Sequence, residues 1–266
     1  MRFALAAALF LQTLPLCAQQ VPLVSLQTAD DSKGWNAVGR LNLGQHGFCS
    51  GALIAPDLVL TAAHCLFDKT TGARIEARDI QFLAGLRNGR AEAYRNVART
   101  IADPAYIYSG DSEVDRVGSD VALIQLDQPI RQPSITPFET AELQGIGSQV
   151  GVVSYAQDRA EAPSLQPTCH VIDATATVLV MDCDIDFGSS GAPVFAMRNG
   201  KPVIVSVISS KAEANGKKVS LGAVLSAPLA VVLAELAKSD GPVALSGQRV
   251  TTLSGGKSSG AKFIKP

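Results

Sequence analysis

The chain has 266 residues, of which 47% are hydrophobic and 18% charged, which excludes a largely disordered protein and allows one large domain or two small ones around a sizeable core. With 23 Lys and Arg against 24 Asp and Glu, the formal net charge is −1, so the bulk electrostatics do not point to nucleic acid or an anionic membrane as a partner. Five cysteines are an odd number, and the start of the chain accounts for the odd one.

Met1-Arg2 is a short basic start, Phe3 to Leu11 is apolar, Gln12, Thr13 and Pro15 break the run, and Leu16-Cys17-Ala18 ends on a small residue. This predicts a secretory signal peptide over 1–18, cut near Ala18, too short and interrupted to span a bilayer. A rival use of Cys17 is lipid attachment, against which stands the bulk of Leu16 just before it. Residues 19–33 then read as an N-terminal extension or short propeptide. The expected location is secreted or periplasmic, and no other stretch approaches the roughly 20 apolar residues of a membrane span. Removing Cys17 leaves Cys49, Cys65, Cys169 and Cys183. Four cysteines allow three pairings. Locality favours Cys49 with Cys65 and Cys169 with Cys183, each bridge worth about 3 kcal/mol if unstrained.

The remainder reads as mostly strands between turn signals. In chain order they are Ala52–Ile54, Leu58–Leu60, Ile80–Leu83, Val121–Leu126, Val150–Ser154, Thr177–Met181, Val194–Ala196, Val203–Ile208 and Val219–Leu225. Such spacing predicts an all-β sandwich or barrel. Arg198-Asn199-Gly200-Lys201 and Ala214-Asn215-Gly216-Lys217 read as hairpin tips, since Asn-Gly tolerates the positive φ of a type I′ turn. Pro228–Lys238, rich in Leu, Ala and Val with Pro in its first turn and Lys near its end, reads as a closing helix. Residues 239–266, rich in Gly, Ser and Lys, read as a flexible basic tail, with a basic anchor to an anionic surface as the lesser alternative.

Three places carry chemistry. In Leu60-Thr61-Ala62-Ala63-His64-Cys65 a strand runs into a histidine beside a cysteine whose bridge would hold the imidazole still. A lone histidine is more often structural. Asp120 directly precedes an apolar strand and is therefore a partly buried carboxylate in need of a partner, or else an ordinary strand-initiating aspartate. In Asp186-Phe187-Gly188-Ser189-Ser190-Gly191-Ala192-Pro193 a serine lies on a glycine turn whose backbone N–H groups can face a ligand. The esterase elbow Gly-x-Ser-x-Gly does not fit, because Ala192 occupies the last position, and the order His, Asp, Ser excludes the α/β-hydrolase arrangement.

Together, Cys49-Ser50-Gly51-Ala52-Leu53-Ile54 leading to Leu58–Cys65, the aspartate of Asp120-Val121-Ala122-Leu123, and Gly188-Ser189-Ser190-Gly191-Ala192-Pro193 resemble the trypsin/chymotrypsin-like serine peptidase family, in a reduced bacterial form. The resemblance spans roughly 34–238. It implies two packed antiparallel Greek-key β-barrels, about 34–135 and 145–226, with the C-terminal α-helix, about 228–238, against the second. It also implies peptide-bond hydrolysis with Ser190 as nucleophile, His64 as general base and Asp120 as its orienting partner. The backbone N–H groups of Gly188 and Ser190 would form the oxyanion hole. Two departures matter. Ser189 stands where trypsin-type zymogens carry Asp to pair with a freed N-terminus, and no Ile-Val-Gly-Gly start is present; the chain enters through Trp35–Leu41. We expect no activation salt bridge, as in glutamyl endopeptidase-like bacterial enzymes.

For specificity, counting back six residues from Ser190 reaches Asp184, which in this family's trypsins is the floor of the primary pocket and would favour Arg or Lys at P1. Ser209, with Ser210 and Lys211, is expected to line the substrate backbone as an edge strand. Lys211 at the rim would instead favour acidic side chains. With only His46, His64 and His170 and no paired-histidine helix motif, no metal is expected; the expected partners are protein or peptide substrates, with no cofactor, and the expected state is a monomer. His46 and His170 receive no role. A non-catalytic binding protein on the same fold is the contrasting class, weakened because all three triad positions are filled.

Overall fold

The structure, a computed structural model, describes residues 21–109, 113–214 and 216–239. The leader expected over 1–18 and the tail beyond Ser239 lie outside the described residues, as does Asn215 of the second hairpin tip.

After a short β1 (Val24–Ser25), the first half runs β2 (Val38–Leu43), β3 (Phe48–Ala55), β4 (Leu58–Thr61), β5 (Ile80–Ala84), β6 (Ala93–Ala102), α1 (Glu113–Gly118) and β7 (Ala122–Leu126). Strands β2 to β7 close a barrel in the order β2-β3-β4-β7-β6-β5. The second half runs β8 (Gln149–Ala156), β9 (Arg159–Ala174), β10 (Val178–Met181), β11 (Pro193–Arg198), β12 (Lys201–Ala214), β13 (Lys217–Val224) and α2 (Ser226–Ser239). Its sheet order β9-β10-β13-β12-β11-β8 returns on itself through the β8–β9 pairing, and β1 adds to the outside of β9. Every pairing between named strands is antiparallel. The all-β, two-barrel expectation is therefore met.

Each predicted strand run coincides with an observed strand. Four strands lay outside the prediction: the two-residue β1, and three longer ones that each hide their period. In β6 the buried residues are Ala93, Val97 and Ile101, a spacing of four that imitates a helix, because the alternate positions between them are the half-buried Arg95 and Arg99; the register also shifts between Val97 and Arg99. In β9 two prolines, Pro163 and Pro167, argue against a long strand. They sit where the pairing with β8 skips residues, so neither has to supply a ladder N–H. β2 is short, and Asn42 and Arg40 dilute its apolar alternation. The Asn199-Gly200 tip is as expected, with φ of 50° and 75°, joining β11 to β12.

One core cluster joins Leu41, Leu53, Leu60, Phe82, Leu123 and Ile124 of the first barrel to Val153, Tyr155, Phe195 and Ile204 of the second. Trp35, Phe138 and Phe195 meet at this junction, with Phe195 5.0 Å from Trp35 and 4.7 Å from Phe138 between ring centroids. The Tyr155 hydroxyl donates to Leu86 O across it at 3.0 Å. A smaller cluster, including Val152, Val171, Met181 and Val194, fills the second barrel. The closing helix forms as expected, but its partner differs. Leu229 and Val232 of α2 are buried in the joint cluster, and the helix contacts β6 and β7 of the first barrel, because the apolar stripe needs cover that the filled second barrel does not offer.

Candidate active site

His64 sits in a 3-10 turn, Ala63–Leu66, that directly follows β4. Cys65 of the same turn is bridged to Cys49 on β3, and Ala62, Ala63 and Leu66 around the histidine are buried, so the turn is tied covalently and by packing. Asp120 lies between α1 and β7 and is 2% exposed. One of its oxygens accepts the His64 backbone N–H at 2.8 Å, and the other meets His64 Nδ1 at 2.7 Å. A third donor, Ser209 Oγ on β12, reaches that second oxygen at 2.5 Å. Burial alone pushes the Asp120 carboxyl up, but the charge and hydrogen bonds of His64 and the Ser209 hydroxyl outweigh it and hold the group below its usual range. An ionised carboxylate only accepts, so Nδ1 carries the proton in this contact and Nε2 is the nitrogen left to take one.

Ser190 sits on the turn between β10 and β11, whose shape is set by its carbonyls. Phe187 O accepts from Gln157 N at 2.7 Å, Ser189 O from Ala192 N at 2.9 Å and Ser190 O from Ser50 N at 2.8 Å. Gly188 O accepts from Ser50 Oγ at 2.9 Å. In a trans peptide the C=O and the following N–H point in opposite directions. Holding Phe187 O and Ser189 O therefore turns the N–H groups of Gly188 and Ser190 away from those anchors. The turn needs Gly188, whose φ is +98°, and Gly191, where a Cβ would lie 2.1 Å from Thr61 Oγ1 and 2.4 Å from Ser50 O.

His64, Asp120, Ser190, Ser209 and Lys211 all line one cavity of about 580 Å³ between the barrels. Ser210 lines it too, and its hydroxyl oxygen is buried with no hydrogen-bond partner among the described residues. Of the other expected site residues, Gly188 is two residues before Ser190 on the same turn but is not itself part of the cavity wall, and Asp184 stands apart. Asp184 is exposed and is not part of the cavity wall. Its backbone N–H is held by Gln166 Oε1 at 2.7 Å, and its neighbour Cys183 is bridged to Cys169 on β9. That tether leaves Ile185, Asp186 and Phe187 to face the cavity instead. Lys211 Nζ is 2.8 Å from Asp186 Oδ1 and 3.9 Å from the centre of the Phe187 ring. Hydrogen bonds from Lys211 and from the Phe187 N–H keep the Asp186 carboxyl low. Lys69 Nζ approaches the same ring at 5.8 Å.

Ser209 also does something sequence reasoning did not foresee: its side chain is spent on Asp120. Ser50 and Arg159 were missed altogether, because a serine after a cysteine and an arginine near a hairpin tip have no chemical signature. Both disulfides match the local pairing. Cys49, His64 and Cys65 lie close enough to suggest a metal cluster, but the two sulfurs are bonded to each other and are not thiolate ligands. His46 and His170 pair with Asp68 and Asp182, respectively.

A trypsin-like peptidase domain family matches residues 49–204. The chain is 25% identical over 158 residues to a glutamyl endopeptidase of Bacillus licheniformis, covering 58% of this chain and 47% of that protein. It is 35% identical over 94 residues to a trypsin-like protease of Streptomyces glaucescens, covering 35% and 31% of the two chains. It is 31% identical over 121 residues to a modular serine protease of Drosophila melanogaster, covering 40% and 18%. The chain thus spans about half the length of these relatives or less. A solved Glu endopeptidase in complex with MPD superposes with a TM-score of 0.66 at 19% identity, covering 81% of this chain and 96% of the other, and shares its fold.

Proposed function

The chain belongs to the trypsin-like peptidase family, and we propose that it is a secreted serine endopeptidase working through an acyl-enzyme. The observation that carries this reading is a buried Asp120 fixed to His64 through two hydrogen bonds, in the wall of the cavity that Ser190 also lines. In the proposed reaction His64 Nε2 takes the Ser190 hydroxyl proton as Oγ bonds to the substrate carbonyl carbon. The carbonyl oxygen becomes an oxyanion facing the N–H groups of Gly188 and Ser190. The imidazolium, stabilised by Asp120, then gives its proton to the leaving amine as the C–N bond breaks. A water attacks the ester by the same steps in reverse, releasing the acid and restoring Ser190.

For the primary side chain we favour acidic residues. Lys211 on the cavity wall and the likeness to a glutamyl endopeptidase support this, as does the position of Asp184 outside the cavity wall, which weighs against an Arg or Lys preference. Asp186, paired with Lys211, is a carboxylate on the cavity wall that would favour the basic alternative. Two disulfides support export to an oxidising compartment. No helix among the described residues is long and apolar enough to cross a membrane.

The test is a panel of fluorogenic peptides differing only at P1, with wild type and Ser190→Ala, alongside labelling by a serine-directed organophosphorus probe. We expect cleavage after Glu or Asp, one probe per chain, and neither in the variant. Turnover by folded Ser190→Ala would overturn the mechanism, cleavage confined to Arg and Lys would overturn the acidic preference, and an unlabelled, inert wild type would make the protein a binding module.

A further inference from the structure

The serine turn is braced from beneath by side chains that take no part in the proposed chemistry. Ser50, fully buried on β3, makes three contacts at once. Its backbone N–H holds Ser190 O, its hydroxyl donates to Gly188 O, and the same oxygen accepts the Tyr155 N–H at 3.0 Å. On the opposite side Ser189 is also fully buried. Its hydroxyl reaches Ser154 Oγ at 3.2 Å and Tyr155 O at 3.4 Å, and accepts the Asp186 N–H at 3.3 Å. Below it lies a cation. Arg159, at the start of β9, folds back over the Gln157-Asp158 tip and donates to Ser154 O at 2.7 Å, Ser154 Oγ at 3.1 Å and Ser189 Oγ at 3.4 Å.

Arg159 is 13% exposed at its side chain. Burial works against its charge, while Asp158, Asp184 and Asp186 support it. A guanidinium held there fixes the hairpin whose next-but-one residue, Gln157, clamps Phe187 O. Gly188 N–H thereby acquires its direction from three elements, β3, β8 and the β8–β9 tip.

We propose that Arg159 and Ser50 are positioning residues that lock the 186–190 turn in its oxyanion-binding form, so that this form is built into the fold and needs no freed N-terminal amine. This rests on the serine peptidase reading above. A buried cation beneath Ser189 occupies the role that a liberated N-terminus with an aspartate fills in zymogens, and Ser189 can serve because a neutral hydroxyl suffices when the charge reaches it through Ser154 as well. The turn is over-determined by these contacts, and preorganised donors lose their value when they must reorganise during reaction.

The experiment compares wild type, Arg159→Met, Arg159→Lys, Ser50→Ala and Ser189→Ala on the best peptide of the P1 panel, with turnover expressed per site titrated by the organophosphorus probe. Arg159→Met and Ser50→Ala are each expected to lower kcat about 10- to 100-fold with KM changed less than about threefold. Affinity for a peptide aldehyde, which forms the oxyanion, falls in step with kcat/KM, while affinity for the cleaved product peptide stays level. Arg159→Lys regains part of the loss. Wild-type kcat per titrated site in either variant overturns the proposal, as does a loss of kcat that the aldehyde affinity does not follow. Should Arg159→Met fail to fold, Ser189→Ala, which keeps the guanidinium and removes its target, must show the same split. An inert, unlabelled wild type sinks the peptidase reading itself, whereas an active wild type with unaffected variants sinks only the brace.

Discussion

Replacing Gly188 by Ala tests the turn at its most constrained point. The glycine has φ +98°, and a Cβ there would lie 2.4 Å from Phe48 Cε2, 2.7 Å from Cζ and 3.1 Å from the Ala156 Cα. An L-residue held at such a φ costs about 1–3 kcal/mol. The Phe48 ring must move by about 1 Å or more to restore an ordinary carbon–carbon contact, and the Arg40 guanidinium 5.2 Å above it resists. Overpacking of this kind adds about 1–3 kcal/mol. If the backbone holds, stability falls by about 2–6 kcal/mol, which for a domain of this size is a Tm drop of about 4–24 °C. If the backbone instead relaxes to negative φ, stability recovers but the Gly188 N–H turns away, and kcat falls about 10²- to 10³-fold. Calorimetry and peptide hydrolysis on the same preparation separate the two. Adding Phe48→Leu should cost less Tm in the Gly188→Ala background than in wild type, because it relieves the ring but not the φ. A Gly188→Ala protein with wild-type Tm and wild-type kcat would refute the reasoning.

Ser209→Ala removes a hydrogen bond to a buried carboxylate, an interaction worth about 1.5–3 kcal/mol; kcat/KM should fall about tenfold, with unchanged rates showing that the contact does not orient Asp120. The Asp120 carboxyl is held below its usual range in the folded protein, so its stabilisation is complete above the unfolded value of about 3.9 and is lost as pH falls through the lower folded value. The Tm advantage of wild type over Asp120→Asn should therefore shrink on acidification below about pH 4; a difference independent of pH would count against it. Cys169→Ser with Cys183→Ser opens a loop closed across a separation of 14 residues and should cost about 3 kcal/mol, a Tm drop of about 6–12 °C. It should also raise KM more than it lowers kcat, since the tether sets the course of the Ile185–Phe187 wall; an unchanged Tm would mean that packing alone holds that segment.

The fold was largely readable because most strands alternate or run apolar between glycine and proline turns, and because the two local cysteine pairs sit close in sequence. What escaped was a masked period. In β6, Arg95 and Arg99 interrupt the apolar alternation of Ala93, Val97 and Ile101, and the prolines of β9 fit the sheet only where residues are skipped, which no local rule reveals before the partner strand is known. At the site, the motif-bearing residues His64, Asp120 and Ser190 converge on one cavity, because each motif encodes its own turn. Asp184 did not, since a position counted along the chain says nothing of where a disulfide pulls it. Ser50 and Arg159 were invisible for a related reason: their importance lies in partners 138 and 30 residues away, and a hydroxyl or guanidinium carries no mark of the partner it will find.

The junction shared by the two barrels gives the molecule a built-in latency. His64 and Asp120 belong to the first barrel and Ser190 to the second, while Val153, Tyr155, Phe195 and Ile204 bury their side chains in a core that the first barrel supplies. Neither half can be complete alone, so the halves should melt in one transition, and a chain folding in stages brings Ser190 to His64 and Asp120 only when its last strands have docked. On the peptidase reading proposed above, such a chain is harmless to its neighbours, and to itself, for as long as it is unfinished.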